Sequence, residues 1–327
     1  MESKWKIFKK IVIVIFAVIF IGIVTEKIFK YADMQRFKPV GKIVQVSNGS
    51  KIHIYSKGRG KNTVVFAAGF GEFCPYVSFY PLHNEISKNN RVVVYDKPGY
   101  GWSDTTEKKR DIDIITEEIH SALVNSGEKP PYIFVAHSMG ALEAIRFAQL
   151  YKNEVNGIVL IDGRNPELYS IISKVSKIAE LRVGLFHKIV ELSNMVGLSR
   201  LILSIPNLYS EKIFADKNKL SLVSEELKEL DKAMFFKTMN NKNQIEEGNM
   251  RMENSAKTLK GGRLGNIPIV IFTSEETSKY KELNEAQSKL KEWSTNSKQI
   301  IVKGSKHYIH WYNPQIINEE IEKLAEK

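Results

Sequence analysis

The 327-residue chain has a single Cys, 10 Pro and 20 Gly, and only 10 of its 48 cationic residues are Arg. One Cys cannot pair within the chain, so no disulfide framework supports the fold. Pro and Gly at this level exclude collagen-like repeats and Pro/Gly low complexity, and no internal repeat is present. The formal net charge is +11, a balance that nucleic-acid binders share. Phosphate and base readout favour the guanidinium fork, however, and there is no Arg cluster, zinc-finger spacing or RNP-like aromatic motif. Nucleic acid is therefore not an expected partner. The excess Lys reads as a solvated surface with some attraction to anionic lipid. The apolar residues make up 43% of the chain, enough to fill a core and to exclude disorder. The length fits one large α/β domain with an insertion, or two modest domains.

One stretch lacks charge altogether. Met1–Lys10 carries Lys4, Lys6, Lys9 and Lys10 against Glu2, and Ile11–Val24 then contains nothing polar beyond Gly22. Fourteen helical residues rise about 21 Å, short of a hydrocarbon core of about 30 Å, but Lys9 and Lys10 can snorkel and Thr25–Phe29 can extend the span. The run ends Ile23-Val24-Thr25-Glu26-Lys27, without the small residues of a cleavage site, so an uncleaved signal anchor is expected rather than a cleaved signal peptide. Lys27, Lys30, Arg36 and Lys38 lie beyond the span, but the denser Lys cluster before it places the N-terminus in the cytoplasm. The expectation is a single-pass protein of the cell membrane with an extracytoplasmic folded region that begins near Gly41 and owes nothing to the span.

From there the pattern is strand, strand, then alternating strand and helix. Lys42–Val46 and Lys51–Tyr55 alternate around Asn48-Gly49, which predicts a hairpin. Thr63–Ala67, Arg91–Tyr95, Tyr132–Ala136 and Gly157–Ile161 are short, β-branched and nearly continuous, as parallel strands covered on both faces are. Helices are predicted over Asp111–Ser126 and Ala141–Tyr151. Arg164–Gly262 then reads as helices only, with Leu168, Ile171, Ile172, Val175 and Ile178 on one face. The sheet rhythm resumes with Ile267–Phe272 and Gln299–Val302, separated by a helix containing Tyr280–Trp293 and succeeded by a last helix from Pro314. A helical insertion of this kind predicts a cap over the carboxyl edge of the sheet, where open α/β folds place ligands. The expected divisions are an anchor over 1–30, a core over 41–162, a cap over 163–262 and the rest of the core over 263–327.

Ala136-His137-Ser138-Met139-Gly140 stands between a strand and a helix. A sharp turn there exposes a hydroxyl beside a helix N-terminus, and it needs small neighbours because it is crowded. An ordinary N-cap would explain Ser138 but not the small residues two before and two after it, so Ser138 is the candidate nucleophile. A Ser nucleophile needs a general base. Of seven His, those at 53, 120 and 187 are accounted for by surface or packing roles. His307 sits in a loop after the last strand and is preferred over His310, three residues on, because it is nearer the strand end. The orienting acid has two candidates. The turn after Ile267–Phe272 holds Glu276 but no Asp, and Asp162 comes directly after the strand ending at Ile161; Asp162 is preferred, with Glu276 the alternative. Backbone N–H groups of Met139 and of Phe70, in the turn Ala67-Ala68-Gly69-Phe70-Gly71, are the candidate oxyanion donors.

On these motifs the chain from Gly41 to its end resembles the α/β-hydrolase fold family. Asp96-Lys97-Pro98-Gly99-Tyr100-Gly101-Trp102-Ser103 looks like that family's D-x-P-G-x-G-x-S loop, and Ala68-Gly69-Phe70-Gly71 is similar to its H-G-x-G loop with Ala in place of His. Ala136 likewise replaces the first Gly of G-x-S-x-G. The resemblance implies a mostly parallel eight-stranded sheet with flanking helices, a Ser138 nucleophile, His307 as base, and neither metal nor cofactor. A Ser at this position disfavours the family's epoxide hydrolases and dehalogenases, which use Asp. The expected activity is a membrane-anchored serine hydrolase acting on a small-molecule or lipid-like ester or amide. A catalytically silent binding protein on the same fold, or an acyltransferase using the same residues, are the alternatives.

Overall fold

The computed structural model describes residues 2–171, 177–205 and 222–326. Eight strands form one sheet in the order β1-β2-β4-β3-β5-β6-β7-β8. They are β1 (Lys42–Gln45), β2 (Lys51–Lys57), β3 (Thr63–Ala67), β4 (Arg91–Asp96), β5 (Tyr132–His137), β6 (Val155–Ile161), β7 (Ile269–Ser274) and β8 (Ser297–Val302). β2 pairs antiparallel with β1 and β4, and every other neighbouring pair is parallel. The register pairs Ala67 with Ala136, His137 with Ile161, Ile161 with Phe272 and Ser274 with Val302. The carboxyl ends of β3, β5, β6, β7 and β8 therefore reach one edge together, and the loops leaving them are neighbours.

The two faces of the sheet are buried by different helices, which is why its strands read as continuous apolar runs. Val65, Phe134 and Leu160 pack beneath the helices Ile112–Ser126 and Gly140–Leu150, whereas Phe66, Val135 and Val159 pack with Leu82 and Ile86 of Tyr80–Ile86 and Ile317 and Ile321 of Pro314–Ala325. Ile112–Ser126 is capped at its start by the Asp111 side chain, which accepts from Asp113 N–H, and at its end by Gly127 at φ 83°. Two short helices between β3 and β4, Pro75–Ser78 and Tyr80–Ile86, were not expected from the sequence. Each has Pro in its first turn and neither is long enough to show a period. β7 starts two residues later than predicted, because Ile267 N–H turns back to Leu264 O.

Between β6 and β7 the described residues are helical: Leu168–Ile171, Lys177–Met195, Leu198–Leu203, Glu225–Thr238 and Lys242–Lys260. In the predicted stripe, Ile172 and Val175 lie outside the described residues; Leu168 is buried.

The amino-terminal segment is one helix, Glu2–Arg36, of 35 residues, long and apolar enough to cross a membrane. Its carboxyl end packs on the domain built around the sheet. Phe37 is buried with Val77, Trp102, Leu230 and Met234, and Trp102 Nε1–H donates to Phe37 O at 3.0 Å. Arg200 donates to Glu26 at 2.8 Å and to Asp33 at 3.0 Å. The expectation that the domain begins at Gly41 and owes nothing to the span is corrected by these contacts. A periodicity argument misses them because the contacts link segments far apart in the chain. Phe37→Ala should cost about 3 kcal/mol, and a chain starting at Gly41 should melt below one starting at Glu26; equal denaturation midpoints for the two truncated chains would refute the docking.

Candidate active site

The turn after β5 is built to hold Ser138 in a conformation that side chains avoid. Ser138 has φ 51°, in the left-handed region that costs a non-glycine residue of order 1–3 kcal/mol. Its N–H donates to Ile161 O at 3.1 Å, and its carbonyl accepts from Arg164 N–H at 2.7 Å and from Ala141 N–H at 3.2 Å. Small neighbours are obligatory. A Cβ at Gly140 would lie 2.4 Å from Ala67 O, and one at Gly69 would lie 2.8 Å from Ser138 Cβ. Ala136 is fully buried within β5, in register with Ala67 and Leu160, so its methyl occupies core space rather than the turn.

Asp162 directly follows β6 with φ 46° and is buried. Its Oδ1 accepts from Ser274 N–H at 3.0 Å, and its Oδ2 accepts from Ser274 Oγ at 3.0 Å and Thr277 Oγ1 at 2.7 Å. The same Oδ2 is 2.8 Å from His307 Nδ1. Burial alone would raise the carboxyl pKa; the His307 imidazole, the Thr277 hydroxyl and the Ser274 N–H outweigh it and hold it below the ordinary Asp range. Glu276 meets His307 at the backbone, accepting from its N–H at 3.4 Å. His310 lies in the helix Ile309–Tyr312 and is fully buried, its ring stacked on Phe79 at 5.3 Å. His307, by contrast, keeps 42% of its side chain exposed. Ser138, Asp162 and His307 line one cavity of about 120 Å³ together with Arg164, Leu168, Thr277 and Leu283.

The two oxyanion candidates lie on the loops flanking Ser138, and neither residue lines that cavity. Among the described residues, neither the Phe70 N–H nor the Met139 N–H is taken up by a protein acceptor. The Phe70 ring lies against Gly248 of the helix Lys242–Lys260, 3.4 Å from where a Cβ there would stand.

Sequence reasoning missed a buried acid beneath the site. Glu72 is 1% exposed; its Oε1 accepts from Gly69 N–H at 2.6 Å and lies 2.5 Å from His137 Nδ1, and its Oε2 accepts from Ser78 Oγ. Burial alone would push its pKa up, and the His137 charge and hydrogen bonds reverse this, holding Glu72 well below the usual carboxylate range. His137 Nε2 in turn lies 3.1 Å from His307 O. One carboxylate thus ties the Gly69 turn, the residue before Ser138 and the His307 loop together. The only signal available was a polar residue, His137, at the end of an otherwise apolar strand.

A second buried network joins the insertion to the core. Lys97 donates to Glu143 at 2.6 Å and to Glu247 at 2.7 Å, and the Tyr95 and Tyr100 hydroxyls donate to the same two carboxylates. Desolvation alone would lower the Lys97 pKa; the two carboxylates more than compensate and push it up to about 12. Lys97 lies in the D-x-P-G-x-G-x-S-like loop, Glu143 on the helix directly after Ser138 and Glu247 on Lys242–Lys260. His53, expected on the surface or in packing, is fully buried with Nδ1 2.8 Å from Asp96 Oδ2 at the start of that loop.

Known proteins share this architecture. The uncharacterized protein YbdG of Bacillus subtilis (strain 168) is 30% identical over 325 residues, covering 97% of this chain and 96% of that protein. Among solved structures, a Bacillus megaterium epoxide hydrolase bound to an inhibitor has a TM-score of 0.63 at 19% identity, covering 88% of this chain and 100% of that one. A malate-bound esterase from Thermogutta terrifontis has a TM-score of 0.62 at 13% identity, covering 86% and 97%. The family model for the alpha/beta hydrolase fold matches residues 62–314, and the chain belongs to the α/β-hydrolase fold family.

Proposed function

We propose that the protein is a membrane-anchored serine hydrolase that cleaves an ester or amide through an acyl-enzyme. The observation that carries this reading is the Asp162–His307 pair, 2.8 Å apart, lining one cavity with a Ser138 held in a left-handed turn. With Nδ1 engaged by Asp162, Nε2 is the imidazole nitrogen left to take the Ser138 proton. Ser138 Oγ then bonds to the substrate carbonyl carbon as its O–H breaks, and the carbonyl π electrons move onto oxygen, where the Phe70 and Met139 N–H groups stabilise them. As the tetrahedral adduct collapses, the imidazolium gives its proton to the departing alcohol or amine. Water, deprotonated by the same nitrogen, releases the acid and restores Ser138. Asp162, ionised because its pKa is depressed, stabilises the imidazolium throughout. The family and the esterase and epoxide hydrolase neighbours support hydrolysis in general; the Ser at position 138 supports an acyl-enzyme over the Asp-based route.

Anchoring is supported by the exposed apolar helix Glu2–Arg36. Retention of the segment is supported by the lack of small cleavage-site residues in Ile23-Val24-Thr25-Glu26-Lys27 and by Gly22, before that point, whose backbone lies against residues 196–197. The denser Lys cluster before the span supports an extracytoplasmic hydrolase region.

A fluorophosphonate probe should label the wild-type chain and not Ser138→Ala. His307→Asn and Asp162→Asn should each cut kcat by orders of magnitude, the latter by about 10⁴, while His310→Asn and Glu276→Gln keep most activity. A collapse of activity in Glu276→Gln with a near-normal Asp162→Asn would reverse the acid assignment.

Glu72→Gln should lower kcat with little change in KM, by up to about 100-fold if the Gly69 turn shifts by 1 Å. Because its folded pKa is depressed, ionised Glu72 contributes stability above the ordinary Glu value of about 4.3, and this is lost as pH falls through the folded value. The variant should therefore show a shallower loss of stability in acid than the wild type; superimposable pH–stability curves would count against the network.

The mature protein should retain Met1–Thr25 and resist alkaline carbonate extraction from membranes. A soluble chain whose N-terminus falls after Val24 would overturn the anchor.

A further inference from the structure

The helices between β6 and β7 carry an apolar face turned away from the core. Leu185, Ile189 and Leu192 recur at i, i+4 and i+7 along Lys177–Met195 and are 62%, 54% and 55% exposed; Leu198, Leu201 and Ile205, just beyond it, are 44%, 71% and 56% exposed. Globular proteins seldom leave so many large apolar side chains together in water. The position of this stretch relative to the amino-terminal helix identifies what covers it. A Cβ at Gly22 would lie 2.3 Å from Val196 O, and one at Gly197 would lie 3.3 Å from Gly22 O, so the backbone at 196–197 sits directly on the helix at Gly22. Gly22 belongs to the uncharged run Ile11–Val24. One turn and three turns further along, the contact changes character: Glu26 and Asp33 engage Arg200. The junction thus straddles a boundary from apolar to charged.

We propose that this face lies in the lipid bilayer beside the anchor helix, so that the hydrolase domain rests on the membrane rather than being tethered above it. The inference rests on the membrane-anchor reading. If Ile11–Val24 occupies hydrocarbon, residues 196–197 are at its edge, and the leucines that flank them sit at the same depth. A cavity of about 760 Å³ continues the surface between the two segments, lined by Val18, Ile21, Leu198 and Leu201 and also by the charged Asp33, Arg36 and Lys232; lipid acyl chains fill its apolar part. Lys188, 73% exposed and paired with Glu191 at 3.1 Å, can reach headgroups as snorkelling lysines do.

Leu192→Cys and Leu201→Cys, each at an exposed position, carry an environment-sensitive NBD label in the full chain reconstituted in phosphatidylcholine–phosphatidylglycerol vesicles. The wild type, whose one Cys, Cys74, is buried, is the labelling blank. Lys129→Cys, at the opposite end of β5, is the control. The labels at 192 and 201 should blue-shift and lose most of their emission when the acyl chains are brominated, and the label at 129 should do neither. Unquenched, unshifted labels on a chain that resists carbonate washing overturn the embedded face and leave the anchor standing. A blue shift without quenching by brominated lipid puts a second copy of the chain on this face and also overturns it. Release of the chain by carbonate removes the anchor reading and the proposal with it.

Discussion

The left-handed turn at Ser138 is the constraint on which the site depends. A non-glycine residue stays at φ 51° only if its surroundings over-determine it. Here they do so through three backbone hydrogen bonds and two glycines too crowded to accept a side chain. Apart from the Ala141 N–H of the helix that follows, those contacts come from β3 and the loop after it, from β6 and from the loop after β6, and the parallel register is what brings these strand ends to one edge. The strain at one residue is borne by the whole sheet.

Two buried charge networks extend that constraint outwards. Glu72 joins the Gly69 turn to His137 and, through it, to the backbone of His307. Lys97 joins the helix after Ser138 to the helix Lys242–Lys260 of the insertion. Burying ions is costly unless each is paired and hydrogen-bonded, and removing one partner of such a pair typically costs about 3–5 kcal/mol. Their positions at the junctions between loops, core and insertion make them devices for alignment.

The amino-terminal helix changes how the domain is understood. Its Gly22, Glu26 and Asp33 meet the Val196–Arg200 stretch, and Phe37 closes a cluster with Trp102 and Met234. A helix with these contacts fixes its own orientation against the domain, as a flexible tether would not.

The class of fold and the places where chemistry would be sought were legible in the amino-acid order alone. Uninterrupted β-branched runs meant a parallel sheet, and the small residues around Ser138, the absence of charge over Ile11–Val24 and the helical stretch after Ile161 are all local patterns that need no partner to be read. The turns holding Phe70, Met139, Asp162, Glu276 and His307 were legible as strand ends for the same reason. Which carboxylate meets His307 was not legible, because Asp162 and Glu276 both come after strands that end on the same edge. Only the register of β6 against β7 puts Asp162 Oδ2 within 2.8 Å of the imidazole and leaves Glu276 at the backbone N–H. The burial of Glu72, the Lys97 network and the seat of the insertion on the amino-terminal helix were equally hidden. Each joins residues dozens to well over a hundred positions apart, or pairs charges that a sequence pattern assigns to solvent, and such pairings are decided by tertiary packing alone.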